Sequence, residues 1–106
     1  MNILLICNAG LSTSLVAQDI KAELSKRGQE CTINASGIDS MQHTLNAEPV
    51  EVILLAPQVK FLRKDVEKKL EGLGKQDIPL VDIQRTDYGR RNAKGIVDSI
   101  LKILGG

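Results

Sequence analysis

The residues with most chemical potential lie together near the start of the sequence. The stretch Cys7-Asn8-Ala9-Gly10-Leu11-Ser12-Thr13-Ser14 holds a thiol, a glycine and three consecutive hydroxyls. The aliphatic run Ile3-Leu4-Leu5-Ile6 precedes it and a helical pattern follows. A strand that turns straight into a helix aims its backbone N–H groups and the positive helix end at one point, which makes an anion site. Gly10 permits a positive φ or a close backbone approach, and Asn8 tolerates left-handed geometry. Ser12 or Thr13 can cap the helix, and Ser14 adds a further hydroxyl for phosphate oxygens. A cysteine at the mouth of such a loop sees a positive potential, which populates the nucleophilic thiolate. The chemistry suggested is a phosphoryl group carried on the Cys7 sulfur and cradled by Asn8 to Ser14. The alternative is an inert cysteine ending a buried strand, followed by an ordinary Ser-Thr-Ser helix start.

Other candidates are weaker. Gln58 and Tyr88 are accessory or partner-facing residues on this reading, with an ordinary surface position as the competing one. Pro57 ends a strand and shapes its turn. Lys60, Arg63, Lys64, Arg90 and Arg91 could offer positive charge to the phosphoryl group or to an acidic partner, against the plainer reading of a solvated face. His43 is the only histidine and reads as a surface residue. Cys31 falls on an expected strand and reads as packing. No cluster of metal-ligand spacing is present, so neither a metal nor another cofactor is expected.

The elements that must position Cys7 alternate along the chain. Strands are expected over Asn2–Cys7, Glu30–Ala35, Val50–Ala56 and Ile78–Ile83, the first and third as continuous aliphatic runs. Helical spacing runs from Ser12 to Arg27 through Val16, Ile20 and Leu24, with Gly28 as C-terminal cap. Ile38, Met41 and Leu45 suggest two turns over 37–48. Val59, Leu62, Val66, Leu70 and Leu73 form a third helical stripe, closed by Gly72 and Gly74. Ala93 to Leu104 form a last amphipathic helix capped by Asn92. Gln84 to Arg91 is expected as loop.

This β-α-β-α-β-α-β-α order predicts an α/β fold: a four-stranded parallel sheet with helices on both faces, because parallel strands need crossovers. Right-handed crossovers favour the Rossmann-like order 2-1-3-4, with a switch point between the first and third strands. Cys7, Pro57-Gln58 and Gln84 to Arg91 then converge on the carboxyl edge, where such sheets bind ligands.

Composition narrows the functions. With 106 residues the chain is expected to form one domain. A net charge of +1, one Phe, one Tyr and no Trp leave neither a basic footprint nor stacking platforms, so nucleic acid is not expected as a partner. No apolar run approaches the roughly 20 residues of a membrane span, and the N-terminus lacks a signal-peptide pattern. A cytoplasmic protein without direct membrane insertion, holding two free thiols, is expected.

Low-molecular-weight tyrosine phosphatases use a similar strand-loop-helix with the pattern Cys-x5-Arg-Ser/Thr. Counting from Cys7, Thr13 stands where that arginine would be, and Ser14 follows. The loop also has no carboxylate to activate water. These departures argue against hydrolysis. A receiver domain is set aside too, since Pro57-Gln58 follow the third strand where a phosphorylatable Asp would end it.

The opening string through Ser14-Leu15-Val16, the run Val52-Ile53-Leu54-Leu55-Ala56-Pro57-Gln58 and the pair Tyr88-Gly89 resemble the enzyme IIB components of the lactose/cellobiose/chitobiose class of sugar phosphotransferase systems. The resemblance covers essentially the whole chain. It implies an architecture like that of the low-molecular-weight tyrosine phosphatases. It also implies that a phosphohistidine on a IIA protein donates its phosphoryl group to Cys7. The group then passes to a disaccharide imported through a membrane IIC component. The alternatives kept beside it are a phosphatase-like cysteine enzyme and a non-catalytic anion-binding regulatory module. Neither the sugar nor the oligomeric state is readable from these residues.

Overall fold

The computed structural model describes residues 1–7 and 11–105, with backbone alone for 11–13. Its described residues form four strands, five α-helices and two 3-10 segments. The strands β1 (Asn2–Ile6), β2 (Thr32–Ser36), β3 (Val52–Leu55) and β4 (Leu80–Asp82) make one parallel sheet in the order β2-β1-β3-β4. The order is the one expected from right-handed crossovers.

The central strands are central because of their composition. Ile3 to Ile6 and Val52 to Leu55 are all buried, which is possible only for strands covered on both faces. The edge strands are more polar: β2 carries Thr32, Asn34 and Ser36, and β4 is short.

Helix α1 (Leu11–Lys26) buries Val16, Ile20 and Leu24 against the sheet. It ends in a Schellman turn, in which Gly28 N–H bonds Ser25 O at 3.0 Å and Gln29 N–H bonds Leu24 O at 2.8 Å. Gly28 takes φ +81° there, a conformation that costs glycine little. A 3-10 turn (Ile38–Ser40) leads into α2 (Met41–Ala47), which buries Met41 and Leu45. Another 3-10 segment (Pro57–Leu62) precedes α3 (Arg63–Gly72). The regular helix expected from Val59 therefore starts later, because Val59 has φ −116° and bonds back only to Ala56 O. Helix α5 (Ala93–Ile103) packs on α1 and buries Ile96, Val97 and Ile100.

Two local expectations differ. Helix α1 begins at Leu11, so Ser12 and Thr13 lie inside its first turn and neither is the cap that precedes it. The half of the expected loop from Leu11 to Ser14 is thus helical. The segment 84–91 contains a five-residue helix, α4 (Arg85–Gly89). One turn of helix with a single apolar side chain leaves no periodicity to detect.

The core is aliphatic, as composition requires, and Tyr88 is its one aromatic side chain among the described residues. Phe61 is 77% exposed instead.

Candidate active site at the carboxyl edge of the sheet

The pairings Ile6 with Leu55 and Leu55 with Asp82 place the next residues, Cys7, Ala56 and Ile83, in one row across the end of the sheet. Backbone bonds confirm the row: Ala56 N–H donates to Ile6 O at 3.0 Å, and Ile83 N–H to Leu55 O at 2.9 Å. The turns after β1, β3 and β4 therefore open on the same edge.

Cys7 is 5% exposed. Its N–H still belongs to the ladder, donating to Ser36 O at 3.0 Å, and its thiol faces the same carbonyl at 3.9 Å. That contact is loose, and a carbonyl oxygen offers a thiolate nothing. An anion at this edge needs donors, and α1, which begins four residues after Cys7, is the next element in the chain with donors at its amino end. The first N–H groups of a helix have no intrahelical acceptor, and the first turn of α1 carries no acidic residue to neutralise its positive end. Asn8, Ala9 and Gly10, together with the side chains of Leu11, Ser12 and Thr13, lie outside the described residues. Ser14 is exposed in the first turn of α1.

Gln58 and Tyr88 are brought together. They line one cleft of about 290 Å³ with Pro57, Arg85 and Gly89. Tyr88, on its polar segment, is buried at 7% exposure, so the reading of it as a surface residue is corrected. The helical turn of α4 swings its ring inward. A second cleft of about 220 Å³ continues on the other side of Pro57, lined by Lys60, Asp82, Ile83, Gln84 and Arg85.

The basic residues separate into two sets. Arg63 bonds Asp82 Oδ2 at 2.9 Å and lies 3.9 Å from Glu67. Arg91 grips Asp19 of α1 through Nε at 2.7 Å and Nη2 at 3.0 Å. Both charges are committed within the fold, and the Arg91 guanidinium holds the Asp19 carboxyl below its ordinary range. Lys60, Lys64 and Arg90 are exposed. Arg85, absent from the sequence-based candidates, lines both clefts. Only the register of β4 could have pointed to it. Ser36 was also missed: its Oγ is buried beside the end of β1 without a hydrogen-bond partner among the described residues.

The remaining concavities do not compete. One, of about 950 Å³, is an open groove along α1 and the start of α5, lined by Asp19, Glu23, Arg91 and Lys94. Asp19 and Arg91 pair with each other there, and Glu23 pairs with Arg27. His43 is exposed on α2. Cys31 precedes β2 at the amino end of the sheet, six residues of register from Cys7's level, or about 20 Å. A disulfide between them is excluded by that separation, and both cysteines are free. Partial burial pushes the Cys31 thiol up, against the opposing pull of Lys21 and the N-terminus. No group of three or more metal-ligating side chains occurs among the described residues. No helix among them is long and apolar enough to cross a membrane.

Comparison with known proteins agrees with this geometry. Residues 2–99 match the family model described as the lactose/cellobiose-specific IIB subunit of the PTS system. The galactose-specific EIIB component of Lactococcus lactis subsp. cremoris is 36% identical over 90 residues, covering 82% of this chain and 81% of that protein. The oligo-beta-mannoside-specific EIIB component of Bacillus subtilis is 28% identical, covering 96% of this chain and 94% of its own length. The solution structure of a cellobiose-specific phosphotransferase IIB component from Borrelia burgdorferi superposes with TM-score 0.71 at 33% identity, over 94% of this chain and 88% of that one. A lactose-specific IIB domain from Streptococcus pneumoniae shares the fold at TM-score 0.73 and 18% identity, over 99% and 95% of the two chains. With its four-stranded parallel sheet and its cysteine at the end of β1, the chain belongs to the lactose/cellobiose-specific IIB family of sugar phosphotransferase systems.

Proposed function

We propose that this chain is a cytoplasmic phosphocarrier that takes a phosphoryl group from a phosphohistidine on a IIA protein onto Cys7. It passes the group to a disaccharide of the cellobiose, chitobiose or lactose class entering through a membrane IIC component. The observation that carries this reading is Cys7 itself, a thiol at the carboxyl edge of the sheet, four residues before a helix with no acidic residue in its first turn.

The chemistry is two in-line displacements. In the first, the Cys7 thiolate attacks phosphorus as the P–N bond of the donor breaks. The donor imidazole, protonated on its other nitrogen, leaves neutral, and the product is an S-phosphocysteine dianion. In the second, a sugar hydroxyl oxygen attacks and the S–P bond breaks. The electron pair returns to sulfur, and the hydroxyl proton ends on the departing thiolate. Such transfers depend on positioning and charge stabilisation. Backbone N–H groups from Asn8 to Ser14 cradle the phosphoryl oxygens. Thr13, in place of a clamping arginine, keeps the phosphoenzyme from being held too tightly to react onward.

Intact-mass analysis after incubation with the phosphorylated IIA protein tests the reading. One phosphate is expected on the wild type and none on Cys7→Ala. An adduct that survives in Cys7→Ala overturns it. So does rapid release of inorganic phosphate without an acceptor, which would favour a phosphatase. Loss of the adduct only with IIC membranes and a matching sugar identifies the acceptor.

A further inference from the structure

The nucleophile loop contains no Arg or Lys, yet a phosphoryl group in flight spreads negative charge over three oxygens. We infer that Arg85 supplies the missing cation, meeting those oxygens from the turn after β4. The inference rests on the phosphocarrier reading above and names a residue that acts in it.

Position is the first support. Arg85 opens α4, two residues beyond Ile83, which stands level with Cys7 and Ala56 across the sheet end. Strands lie about 4.8 Å apart, so the ends of β1 and β4 are about 10 Å apart. Arg85 also lines the clefts on both sides of Pro57. Arg85 and Pro57, the residue that follows Ala56 at the end of β3, thus share the walls of both clefts. One strand spacing separates the end of β3 from that of β1, a gap that the long arginine side chain and a phosphoryl group standing out from Cys7 both narrow.

Availability is the second support. Arg63 and Arg91 are bound to carboxylates, whereas Arg85 is exposed and makes no ion pair among the described residues. A carboxylate does share one of its clefts: Asp82, whose Oδ2 is taken by Arg63 and whose Oδ1 is buried without a partner. Arg85 does not bond even this oxygen. Its fork of donors remains open to an anion entering from outside, and a guanidinium matches phosphoryl oxygens in geometry as well as charge. A cation on a neighbouring exposed turn can engage during transfer without clamping the resting phosphocysteine, which suits a carrier.

The test compares Arg85→Gln, Arg85→Lys and the wild type in single-turnover phosphorylation of Cys7 by the phosphorylated IIA protein. Lys68→Gln, an exposed cation on α3, controls for loss of one positive charge. Arg85→Gln is expected to slow transfer roughly tenfold to a hundredfold, as removal of one charged contact to a transferring group does. Arg85→Lys recovers part of the rate, and Lys68→Gln leaves it unchanged. Phosphorus NMR of the phosphocysteine gives a readout that structural damage would not move. Its titration midpoint should rise by roughly half a unit in Arg85→Gln, the effect of an exposed unit charge about 6 Å away. Equal rates and equal midpoints in wild type and Arg85→Gln would overturn the inference while leaving Cys7 as the carrier. Absence of any adduct on wild-type Cys7 would instead bring down the carrier reading itself, and this inference with it.

Discussion

Asn92 performs two tasks at the joint between α4 and α5, and replacing it separates them. Its Oδ1 accepts the N–H of Gly95 at 3.3 Å, capping α5, and its Nδ2 donates to Asp87 Oδ1 at 3.1 Å. Asn92→Ala removes both contacts. Loss of an N-cap costs about 1 kcal/mol, and an exposed side-chain hydrogen bond adds about 0.5 kcal/mol. For a domain of this size, where 1 kcal/mol moves Tm by 4–8 °C, the fall should be roughly 6–12 °C. Asn92→Ser keeps a capping oxygen and loses only the Asp87 contact, so its fall should be about a third as large.

Gly95 provides a cross-check on the same cap. A Cβ at Gly95 would stand 2.7 Å from Asn92 Nδ2, so Gly95→Ala displaces the capping amide while adding about 1 kcal/mol of helix propensity. In the wild type those effects nearly cancel. On the Asn92→Ala background nothing blocks the methyl group except the Asp87 carboxylate at 3.3 Å, which is free to swing aside, and the gain should appear in full. Thermal unfolding followed by circular dichroism reads all four proteins. The reasoning is refuted if Asn92→Ala melts with the wild type, or if Gly95→Ala has the same effect on both backgrounds.

Three further outcomes are expected. The Asp19 carboxyl is held below its ordinary range by the Arg91 hydrogen bonds, so its contribution to stability is present above the unfolded-state value and lost as pH falls through the folded one. The Tm difference between wild type and Asp19→Asn should thus be largest near neutrality and fade below about pH 4; a difference independent of pH would contradict this. Gly74 takes φ +71° after α3, so Gly74→Ala should cost about 1 kcal/mol in urea unfolding, with an unchanged m-value. Phe61 is exposed on the 3-10 segment after β3, so Phe61→Ser should alter stability by less than about 0.5 kcal/mol in urea unfolding.

Much of the molecule is determined by sequence alone because the signals are local. All-aliphatic runs mark β1 and β3 as doubly covered strands. Glycines after the α1 and α3 stripes mark their ends, Asn92 marks the start of α5, and alternation of elements leaves the order β2-β1-β3-β4 as the simplest solution. The composition of Cys7 to Ser14 points to the proposed nucleophile for the same reason: thiol, glycine and hydroxyls are adjacent in the chain.

Tertiary structure decides what depends on residues far apart. Whether an arginine is available or spent depends on its partner, and Arg91 meets Asp19 across 72 positions while Arg63 meets Asp82 across 19. Tyr88 enters the core only because a single helical turn, too short to leave a periodic trace, rotates it inward. Arg85 gains significance only when register sets the end of β4 level with that of β1. The sequence by itself marks Cys7 as the residue proposed to carry a phosphoryl group. Strand order and ion pairing decide which cations stay uncommitted at that edge among the described residues, because both are set by contacts that no local pattern encodes.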